Sequence, residues 1–253
     1  MIKIVIIGSG NVAQHLISAF ENRPKIELVQ VFSRQENRQL TLLTQAPIVH
    51  DLQQLKEADV YIIAVSDGAI AEVSEQLPFM NRLVVHTSGA APLNTINPKN
   101  RSGVFYPLQT FTKNKKVDFS TIPFCLEAEN PVDFKLLEKL AKYISHAVYA
   151  INSEQRKALH VAAVFVNNFT NHLFQIGEEI CKENKVSFEI LKPLITETAA
   201  KITDLSPQEA QTGPAKRNDQ TTIQAHLDYL TNENHKNIYK ILTQSILENG
   251  KKL

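Results

Sequence analysis

Cysteine is scarce in this sequence of 253 residues. The two cysteines, Cys125 and Cys181, have no cysteine or histidine close by in the sequence that could complete a disulfide scaffold or a zinc site. Both lie in apolar surroundings, one strand-like and the other helix-like, which is typical of reduced thiols in the core of an intracellular protein. We therefore expect neither a disulfide framework nor a bound metal.

A strong charge imbalance and long apolar runs are absent as well. The net charge is +1, and the basic cluster at Lys113, Lys115 and Lys116 is typical of a solvated loop, so we expect no nucleic-acid partner. An apolar run such as Val60–Val65 is far shorter than the ~20 residues that cross a bilayer. No charged leader with a cleavable apolar stretch precedes the first apolar segment. These features predict a cytoplasmic protein without a membrane partner.

Strand-like and helix-like patterns alternate through the first 150 residues. Ile2–Ile7 suits a strand buried on both faces, and after Gly8–Gly10 the apolar residues Val12, Leu16 and Phe20 recur at helical spacing. Such alternation predicts an α/β fold with a Rossmann-type, doubly wound and mostly parallel sheet. Further strands are predicted at Ile26–Phe32, Pro47–Val49, Val60–Val65, Arg82–His86, Gly103–Tyr106, Pro123–Leu126 and His146–Ala150. Further helices are predicted at Gln35–Leu43, Ala69–Leu77 and Pro131–Ile144.

The turn after the first predicted strand is the context that a dinucleotide-binding motif requires, since it leads from a strand into an amphipathic helix. Its first glycine permits the tight turn, its second lets the backbone approach a pyrophosphate, and the helix N-terminus offers N–H groups to the phosphates. Ala13 replaces the third glycine of the pattern and allows close packing of helix on strand. The alternative is a glycine turn that binds no ligand. The expected cofactor contacts are Gly8, Ser9, Gly10, Asn11 and Val12.

The end of the second predicted strand favours NADP over NAD. NAD-binding domains usually place Asp or Glu there to bind the ribose 2′-hydroxyl, whereas a cation or a hydroxyl suits a 2′-phosphate. This chain has Ser33 and Arg34 there, and a guanidinium can bind a phosphate through two hydrogen bonds. The alternative is that Arg34 is a solvated surface residue.

Two later turns follow the fourth and fifth predicted strands, at the edge where open α/β sheets bind ligands. Small residues there would let a nicotinamide ribose approach the backbone. Asp67 is expected to cap the following helix and to contact the cofactor as well, whereas His86 is expected to be a strand-end residue rather than a catalytic base. The expected cofactor contacts in these turns are Val65, Ser66, Asp67, Ser88 and Gly89.

From Asn152 onward the pattern is helical. Ala158, Phe165 and Ile176 belong to an apolar stripe that predicts one helix of about thirty residues. Ser206–Glu209 combines an N-cap serine, a proline at the first helical position and a glutamate that completes a capping box. We therefore predict an α/β domain at residues 1–150 and an all-helical domain at 151–253.

Five motifs lie in order along the chain, and together they resemble one protein family of predicted oxidoreductases. In this family a Rossmann-like domain precedes a domain of unknown function, DUF2520. The layout is more distantly similar to pyrroline-5-carboxylate reductase, coenzyme-F420-dependent NADP oxidoreductases, and 6-phosphogluconate and β-hydroxyacid dehydrogenases. The motifs are Gly8-x-Gly10-Asn11-Val12-Ala13, His86-Thr87-Ser88-Gly89, Phe105-Tyr106-Pro107-Leu108-Gln109-Thr110-Phe111, His160-x-Ala162-Ala163 with Asn168, and Thr212-Gly213-Pro214-x-x-Arg217-x-Asp219.

The resemblance implies an active site between an NADP-binding domain and a helical domain that dimerises. It matches Ser88 to the turn beside the nicotinamide and Asn168 to a residue that faces the substrate. His160, two helical turns before Asn168, is a candidate proton donor, with a structural role as the alternative. Arg217 and Asp219 could orient an anionic substrate and the general acid, or form an exposed turn with a helix cap at Asp219.

One departure from the distant relatives concerns the chemistry. The β-hydroxyacid dehydrogenases carry a catalytic lysine where this chain has Val164, which argues against a lysine-dependent alcohol oxidation. We therefore predict an NADP-dependent oxidoreductase that transfers hydride to or from a small carbonyl or imine compound, and that forms a homodimer through its helical domain. The alternative is an NADP(H)-binding regulatory or sensor protein without turnover. A dimeric scaffold that has lost nucleotide binding is disfavoured by the intact glycine turn.

Overall fold

The apolar segments of the first half pair side by side as the strands of one sheet. Within residues 1–113 and 115–251, which the computed structural model describes, this sheet has eight strands. The strands are β1 (Ile2–Ile7), β2 (Ile26–Phe32), β3 (Ile48–Val49), β4 (Val60–Ile63), β5 (Leu83–His86), β6 (Arg101–Pro107), β7 (Phe124–Ala128) and β8 (Val148–Ala150). Their order across the sheet is β3-β2-β1-β4-β5-β6-β7-β8.

Helices connect the strands in the first half and make up the second half. They are α1 (Asn11–Phe20), α2 (Arg38–Leu43), α3 (Ile70–Glu75), α4 (Pro131–Lys142), α5 (Ser153–Ala163), α6 (Thr170–Glu183), α7 (Lys192–Asp204), α8 (Pro207–Ala210), α9 (Gln220–Tyr229) and α10 (Glu233–Lys251). The predicted fold class, a mostly parallel doubly wound sheet followed by a helical region, is thereby confirmed.

The strand pairing creates a crevice at the carboxyl edge of the sheet. Neighbouring strands run parallel throughout the described residues except for β6 and β7, which are antiparallel. The strand order reverses at β1, which lies between β2 and β4. The connections that follow β1 and β4 run on opposite faces of such a sheet. A crevice therefore opens between them, beside the carboxyl end of β1.

Alternate side chains of the central strands build a core on each face of the sheet. Ile6 belongs to one cluster together with Leu16 of α1 and Leu137 of α4. Ile7 belongs to the other cluster together with Ile70 at the start of α3. Because both faces are covered, the central strands are apolar along nearly their whole length, and this explains the continuous β-branched run of β1.

The long helix predicted after Asn152 is interrupted. A complete capping box between Asn152 and Gln155 starts α5, and the predicted capping box between Ser206 and Glu209 is present at α8. Between α5 and α6 lies a π-helical segment, Val164–Phe169. A π-helix has more residues per turn than an α-helix, so the regular spacing used to place His160 and Asn168 on one face does not apply here.

The chain divides into two compact units, Met1–Asn167 and the part from Asn168 onward. This division lies after α5, later than the predicted boundary at residue 150, because side chains of α5 bond to the sheet and to the turn after β5. The guanidinium of Arg156 pairs with Glu127 of β7 and donates to the carbonyl oxygen of Ala91. The assignment of 151–253 as a substrate and dimerisation domain stays a prediction.

No helix among the described residues combines the length and apolar character needed to cross a membrane. No group of three or more His, Cys, Asp or Glu side chains among them is arranged to hold a metal ion.

Candidate active site

Gly8 ends β1 in a conformation that favours glycine. Its φ is +140°, and a β-carbon there would lie 2.1 Å from the carbonyl oxygen of Ala64. The N–H of Gly8 donates to the carbonyl oxygen of Phe32 at 2.9 Å. The close approach of β1 to its neighbours therefore requires this glycine for the packing of the fold itself.

Gly10 is free of such constraints. Its φ of −72° suits any residue, and apart from its two neighbours in the chain no described residue has an atom within 4 Å of the place a β-carbon would occupy. Gly10 precedes α1, whose first turn carries no acidic side chain and receives no side-chain capping bond from the described residues. The first N–H groups of such a helix can bind an anion, and the missing side chain of Gly10 leaves room for it.

A cavity of about 830 Å³ lies over this turn. It is formed by the ends of β1, β2 and β4, the start of α1, the region of α3 and the loop between β6 and β7. The lining residues are Gly8, Ser9, Gly10, Asn11, Val12, Phe32, Arg34, Gln35, Ala64, Val65, Ser66, Ala69, Val73, Gln109 and Phe111. This is the crevice at the reversal of strand order, where folds of this class bind ligands.

Most of the predicted cofactor contacts line the cavity, but four do not, namely Ser33, Asp67, Ser88 and Gly89. Ser33 is buried, its hydroxyl donates to the carbonyl oxygen of Gln35 at 2.7 Å, and its N–H donates to the carbonyl oxygen of Val49 at 3.0 Å. A phosphate needs hydrogen-bond donors, and both donors of Ser33 are already used. Arg34, which is exposed at the cavity, is the predicted 2′-phosphate residue that remains.

The predicted capping role of Asp67 is wrong. Asp67 is the first residue of a short 3₁₀ turn, Asp67–Ala69, and α3 begins only at Ile70. The extra turn places Asp67 inside the helical segment rather than before it. Asp67 is exposed and is not among the residues that line the cavity.

The loop between β6 and β7 reaches over the glycine turn. The side-chain amide of Asn11 donates to the carbonyl oxygen of Phe111 at 3.0 Å, and Nε2 of His15 lies 3.1 Å from the carbonyl oxygen of Thr112. The rings of His15 and Phe111 are 4.9 Å apart. These contacts bring Gln109 and Phe111 to the cavity. Sequence reasoning noticed the motif that contains both residues but gave neither a role.

The turn after β5 is organised by its own buried polar groups. The hydroxyl of Ser88 accepts hydrogen bonds from the N–H groups of Ala90 and Ala91, at 3.1 and 2.9 Å. Nδ1 of His86 accepts from the N–H of Ser88 at 3.2 Å, and its Nε2 lies 3.3 Å from the carbonyl oxygen of Pro92. Burial, followed by the positive charge of Arg156, lowers the pKa of His86 to about 4. The side chain is therefore neutral at pH 7 and supports the turn, in line with the predicted strand-end role.

Gly89, Tyr106 and His160 meet beside this turn. The hydroxyl of Tyr106 lies 3.2 Å from Nδ1 of His160. A β-carbon on Gly89 would lie 2.5 Å from that same nitrogen and 2.7 Å from Cζ of Tyr106, so no larger residue fits between the two rings as they stand. Burial raises the pKa of Tyr106 to about 12. Sequence reasoning identified Gly89 and His160 but assigned no role to Tyr106.

A buried ion pair holds α5, and with it His160, against the sheet. Arg156 lies one helical turn before His160, is 1% exposed, and pairs with the carboxylate of Glu127. Its second amino group donates to the carbonyl oxygen of Ala91 at 2.6 Å, so the same side chain also supports the turn of Ser88. Within the described residues, Nε of Arg156 is buried without a hydrogen-bond partner.

The remaining predicted site residues belong to the second compact unit. Asn168 and Arg217 are both exposed. Asp219 caps α9, because its carboxylate accepts hydrogen bonds from the hydroxyl and the N–H of Thr222 at 2.7 and 3.1 Å. These bonds hold the pKa of Asp219 below its usual value. The helix cap weighed as an alternative is thus present, and the catalytic roles of these three residues stay predictions.

A doubly wound sheet with a glycine turn at its switch point, followed by a helical region, defines a Rossmann-type dinucleotide-binding protein with an additional helical part. The model "Oxidoreductase family, NAD-binding Rossmann fold" matches residues 2–79, and the domain of unknown function DUF2520 matches residues 122–246. A candidate NADP oxidoreductase from Bacteroides fragilis is 39% identical over 98% of each chain, with a TM-score of 0.86. The chain belongs to the family of this protein, which confirms the predicted resemblance to DUF2520-containing oxidoreductases.

More distant structures share the fold. A pyrroline carboxylate reductase from Plasmodium falciparum with NADP bound is 12% identical, over 99% of this chain and 97% of that one, with a TM-score of 0.64. An imine reductase from Myxococcus stipitatus in complex with NADP+ is 14% identical, over 99% and 93%, with a TM-score of 0.62. No curated protein matches the chain in sequence.

Proposed function

We propose that this chain is an NADP-dependent oxidoreductase acting on a small carbonyl or imine compound. The observation that carries the proposal is the pair of glycines beside the cavity. The fold requires Gly8, whereas the space beside Gly10 is open and lies at the cavity, where it would accommodate a phosphate. The matching oxidoreductase Rossmann model over residues 2–79 and the related NADP oxidoreductase support the same function.

The residues around the cavity fit a dinucleotide. The N–H groups at the start of α1 would hold the pyrophosphate, with Ser9 and the open side of Gly10 next to it. The ends of β1, β2 and β4 line one continuous cavity, which matches the extended shape of the cofactor. When bound, the nicotinamide supplies or takes up the hydride.

We assign the preference for NADP to Arg34. The end of β2 presents this exposed guanidinium to the cavity, and no carboxylate lines the cavity among the described residues. A guanidinium attracts a 2′-phosphate, whereas a carboxylate in the same place would repel it. The structures of two distant relatives contain NADP, as their names state.

The reacting end of the site lies, in our proposal, at the carboxyl end of β5. Thr87, just after β5, donates its N–H to the carbonyl oxygen of Ile63 in β4, so the turn of Ser88 and Gly89 adjoins the strand end that lines the cavity. His160, held beside Gly89, is the proposed proton donor. Asn168 is proposed to face the substrate, and Arg217 and Asp219 are proposed to orient an anionic substrate and the general acid.

We further propose that the protein is a cytoplasmic homodimer that associates through its helical unit. In that unit Ile190, Leu194 and Ile202 are 68%, 61% and 56% exposed. Several large apolar side chains open to water on neighbouring helical segments favour coverage by another protein surface, and a second copy is the partner that the family layout implies.

Fluorescence titration with NADPH and NADH tests the cofactor assignment. The wild-type protein should bind NADPH more tightly than NADH. The substitution Arg34→Gln should weaken NADPH binding about tenfold or more, because a charge-assisted hydrogen bond contributes ~1.5–3 kcal/mol, and should leave NADH binding unchanged. Equal losses for both cofactors would contradict the assignment of Arg34, and no binding of either would contradict the function.

Turnover is tested by following NADPH absorbance with a panel of small aldehydes, ketones and cyclic imines. An enzyme should oxidise NADPH with at least one class of compound, and His160→Gln should lower kcat about a hundredfold if a general acid is lost. The matched control His146→Gln removes an exposed histidine of the same unit and should leave kcat unchanged. Tight NADPH binding without turnover would instead favour the sensor function.

A further inference from the structure

The contact between Tyr106 and His160 joins three separate segments of the first unit. Tyr106 comes from β6, His160 from α5, and Gly89 from the turn after β5. The phenol oxygen lies 3.2 Å from Nδ1 of the imidazole, and the missing side chain of Gly89 provides the space in which this nitrogen lies. Nδ1 of His160 therefore lies against both Tyr106 and Gly89. The other ring nitrogen, Nε2, is not part of this contact.

The backbone that carries His160 is fixed independently of this contact. One turn earlier in α5, the buried guanidinium of Arg156 bonds to Glu127 in β7 and to Ala91 in the turn. With the helix held there, the orientation of the imidazole depends on the groups around it. Next to Nδ1 these groups include the hydroxyl of Tyr106 on one side and the backbone of Gly89 on the other.

The direction of the hydrogen bond follows from the chemistry of the two groups. Burial raises the pKa of the Tyr106 phenol to about 12, so the hydroxyl keeps its proton at neutral pH. A phenol is a stronger donor than a neutral imidazole N–H, and an imidazole nitrogen is a stronger acceptor than a phenol oxygen. In the neutral pair the hydroxyl therefore donates to Nδ1, and the proton of the ring is on Nε2.

We propose that Tyr106 is a positioning residue that occupies Nδ1 of His160 and thereby reserves Nε2 for proton exchange with the substrate. The substrate part of this assignment rests on the proposed oxidoreductase function. In the imidazolium form the same hydroxyl accepts a hydrogen bond from Nδ1–H. The proton leaves Nε2, a bond forms between this proton and the oxygen or nitrogen of the substrate, and His160 becomes neutral again.

Nitrogen NMR spectra of the full-length, ligand-free protein test the assignment in wild type and in Tyr106→Phe, which removes only the hydroxyl. In wild type, His160 should show a protonated Nε2 and an Nδ1 signal displaced by hydrogen bonding. In Tyr106→Phe this displacement should be lost. The matched control Tyr149→Phe removes the hydroxyl of a tyrosine that is 52% exposed on β8 and should leave the His160 signals unchanged.

Kinetics supply a second readout, with NADPH and the cyclic imine 2-methyl-1-pyrroline as probe. Tyr106→Phe should lower kcat about five- to tenfold, the effect of one lost hydrogen bond, while the Kd for NADPH stays unchanged. Identical nitrogen signals in Tyr106→Phe and wild type would overturn the proposal, as would an undiminished kcat. Because the spectra need no substrate, they decide the pairing even if NADPH fails to bind, a result that would overturn only the proposed function.

Discussion

Gly8 and Gly10 belong to the same turn, but different atoms constrain them. The carbonyl oxygen of Ala64 blocks any side chain at Gly8, whose φ is also positive, whereas the space beside Gly10 is open. The pattern of two glycines in the sequence does not reveal this difference. The difference assigns Gly8 to folding and Gly10 to ligand binding, so the substitution of each glycine tests one of these roles separately.

Substituting each glycine with alanine should give opposite results. Gly8→Ala should lower the free energy of unfolding by about 2 kcal/mol or more, through the strained φ and the clash with Ala64. Gly10→Ala should cost no more than ~1 kcal/mol of stability, since alanine is a poorer helix N-cap than glycine, but should weaken NADPH binding at least about fivefold, because a methyl group would enter the phosphate site. Urea denaturation and fluorescence titration measure the two effects. Equal NADPH affinity of Gly10→Ala and wild type would argue against the site.

His86 makes stability depend on pH. The folded protein keeps this histidine neutral down to a pKa of about 4, whereas the unfolded chain takes up the proton near pH 6.5. Between these values the unfolded state binds more protons, so stability is fully present above pH 6.5 and is lost as the pH falls. From pH 7.5 to pH 5, His86 should account for a decrease of on the order of 2 kcal/mol in the free energy of unfolding.

Urea denaturation of wild type and His86→Gln at both pH values measures this contribution. The substitution removes the titrating group, so the stability of the variant should fall less on acidification than that of wild type. Parallel losses in the two proteins would show that His86 is not held neutral in the folded state.

At the scale of elements, the ion pair between Arg156 and Glu127 is one of the contacts that join α5 to the sheet of the first unit. Glu127→Gln should lower the free energy of unfolding by about 3 kcal/mol, since removing one partner leaves a buried charge unpaired. The control Glu138→Gln breaks the exposed pair with Lys142 on α4 and should cost less than ~1 kcal/mol. Similar small effects in both variants, measured by urea denaturation, would mean that Arg156 finds other partners when Glu127 is neutral.

The elements themselves were largely predictable from the sequence, because their signals are local. The run Ile2–Ile7 and the capping box at Ser206 follow from neighbouring residues, and both are present. The start of α3 was misplaced because a 3₁₀ turn and an α-helix share the same residue preferences over so short a stretch. The spacing of the apolar residues does not reveal the π-helical segment that begins at Val164.

The candidate site was predictable only in part, since its remaining contacts join distant segments. Tyr106 is 54 residues from His160 in sequence, and Arg156 is 29 residues from Glu127. An arginine on a helix is usually solvated, and nothing near Arg156 in the sequence shows that a strand carboxylate will bury it. The glycine turn and Arg34, in contrast, were identified because the fold class places a strand end and a helix start at a known point.

At the scale of the whole molecule, the proposed homodimer predicts the mass of the protein in solution. Light scattering after size-exclusion chromatography should give the mass of two chains for wild type. The double substitution Ile190→Glu with Leu194→Glu should shift it toward one chain, because charges are costly in an apolar interface. Leu42→Glu, at a residue 85% exposed in the first unit, is the control and should remain dimeric. A monomeric wild type would contradict the proposal.

The contrast between Gly8 and Gly10 also has an evolutionary consequence. Selection removes mutations at Gly8 because they impair folding. Every descendant that retains this sheet should therefore retain that glycine, whatever the function of the descendant. Selection removes mutations at Gly10 only while the protein has to bind a nucleotide. A lineage that lost the cofactor would therefore keep the first glycine but not the second, and the codon for residue 10 would show which descendants still bind a nucleotide.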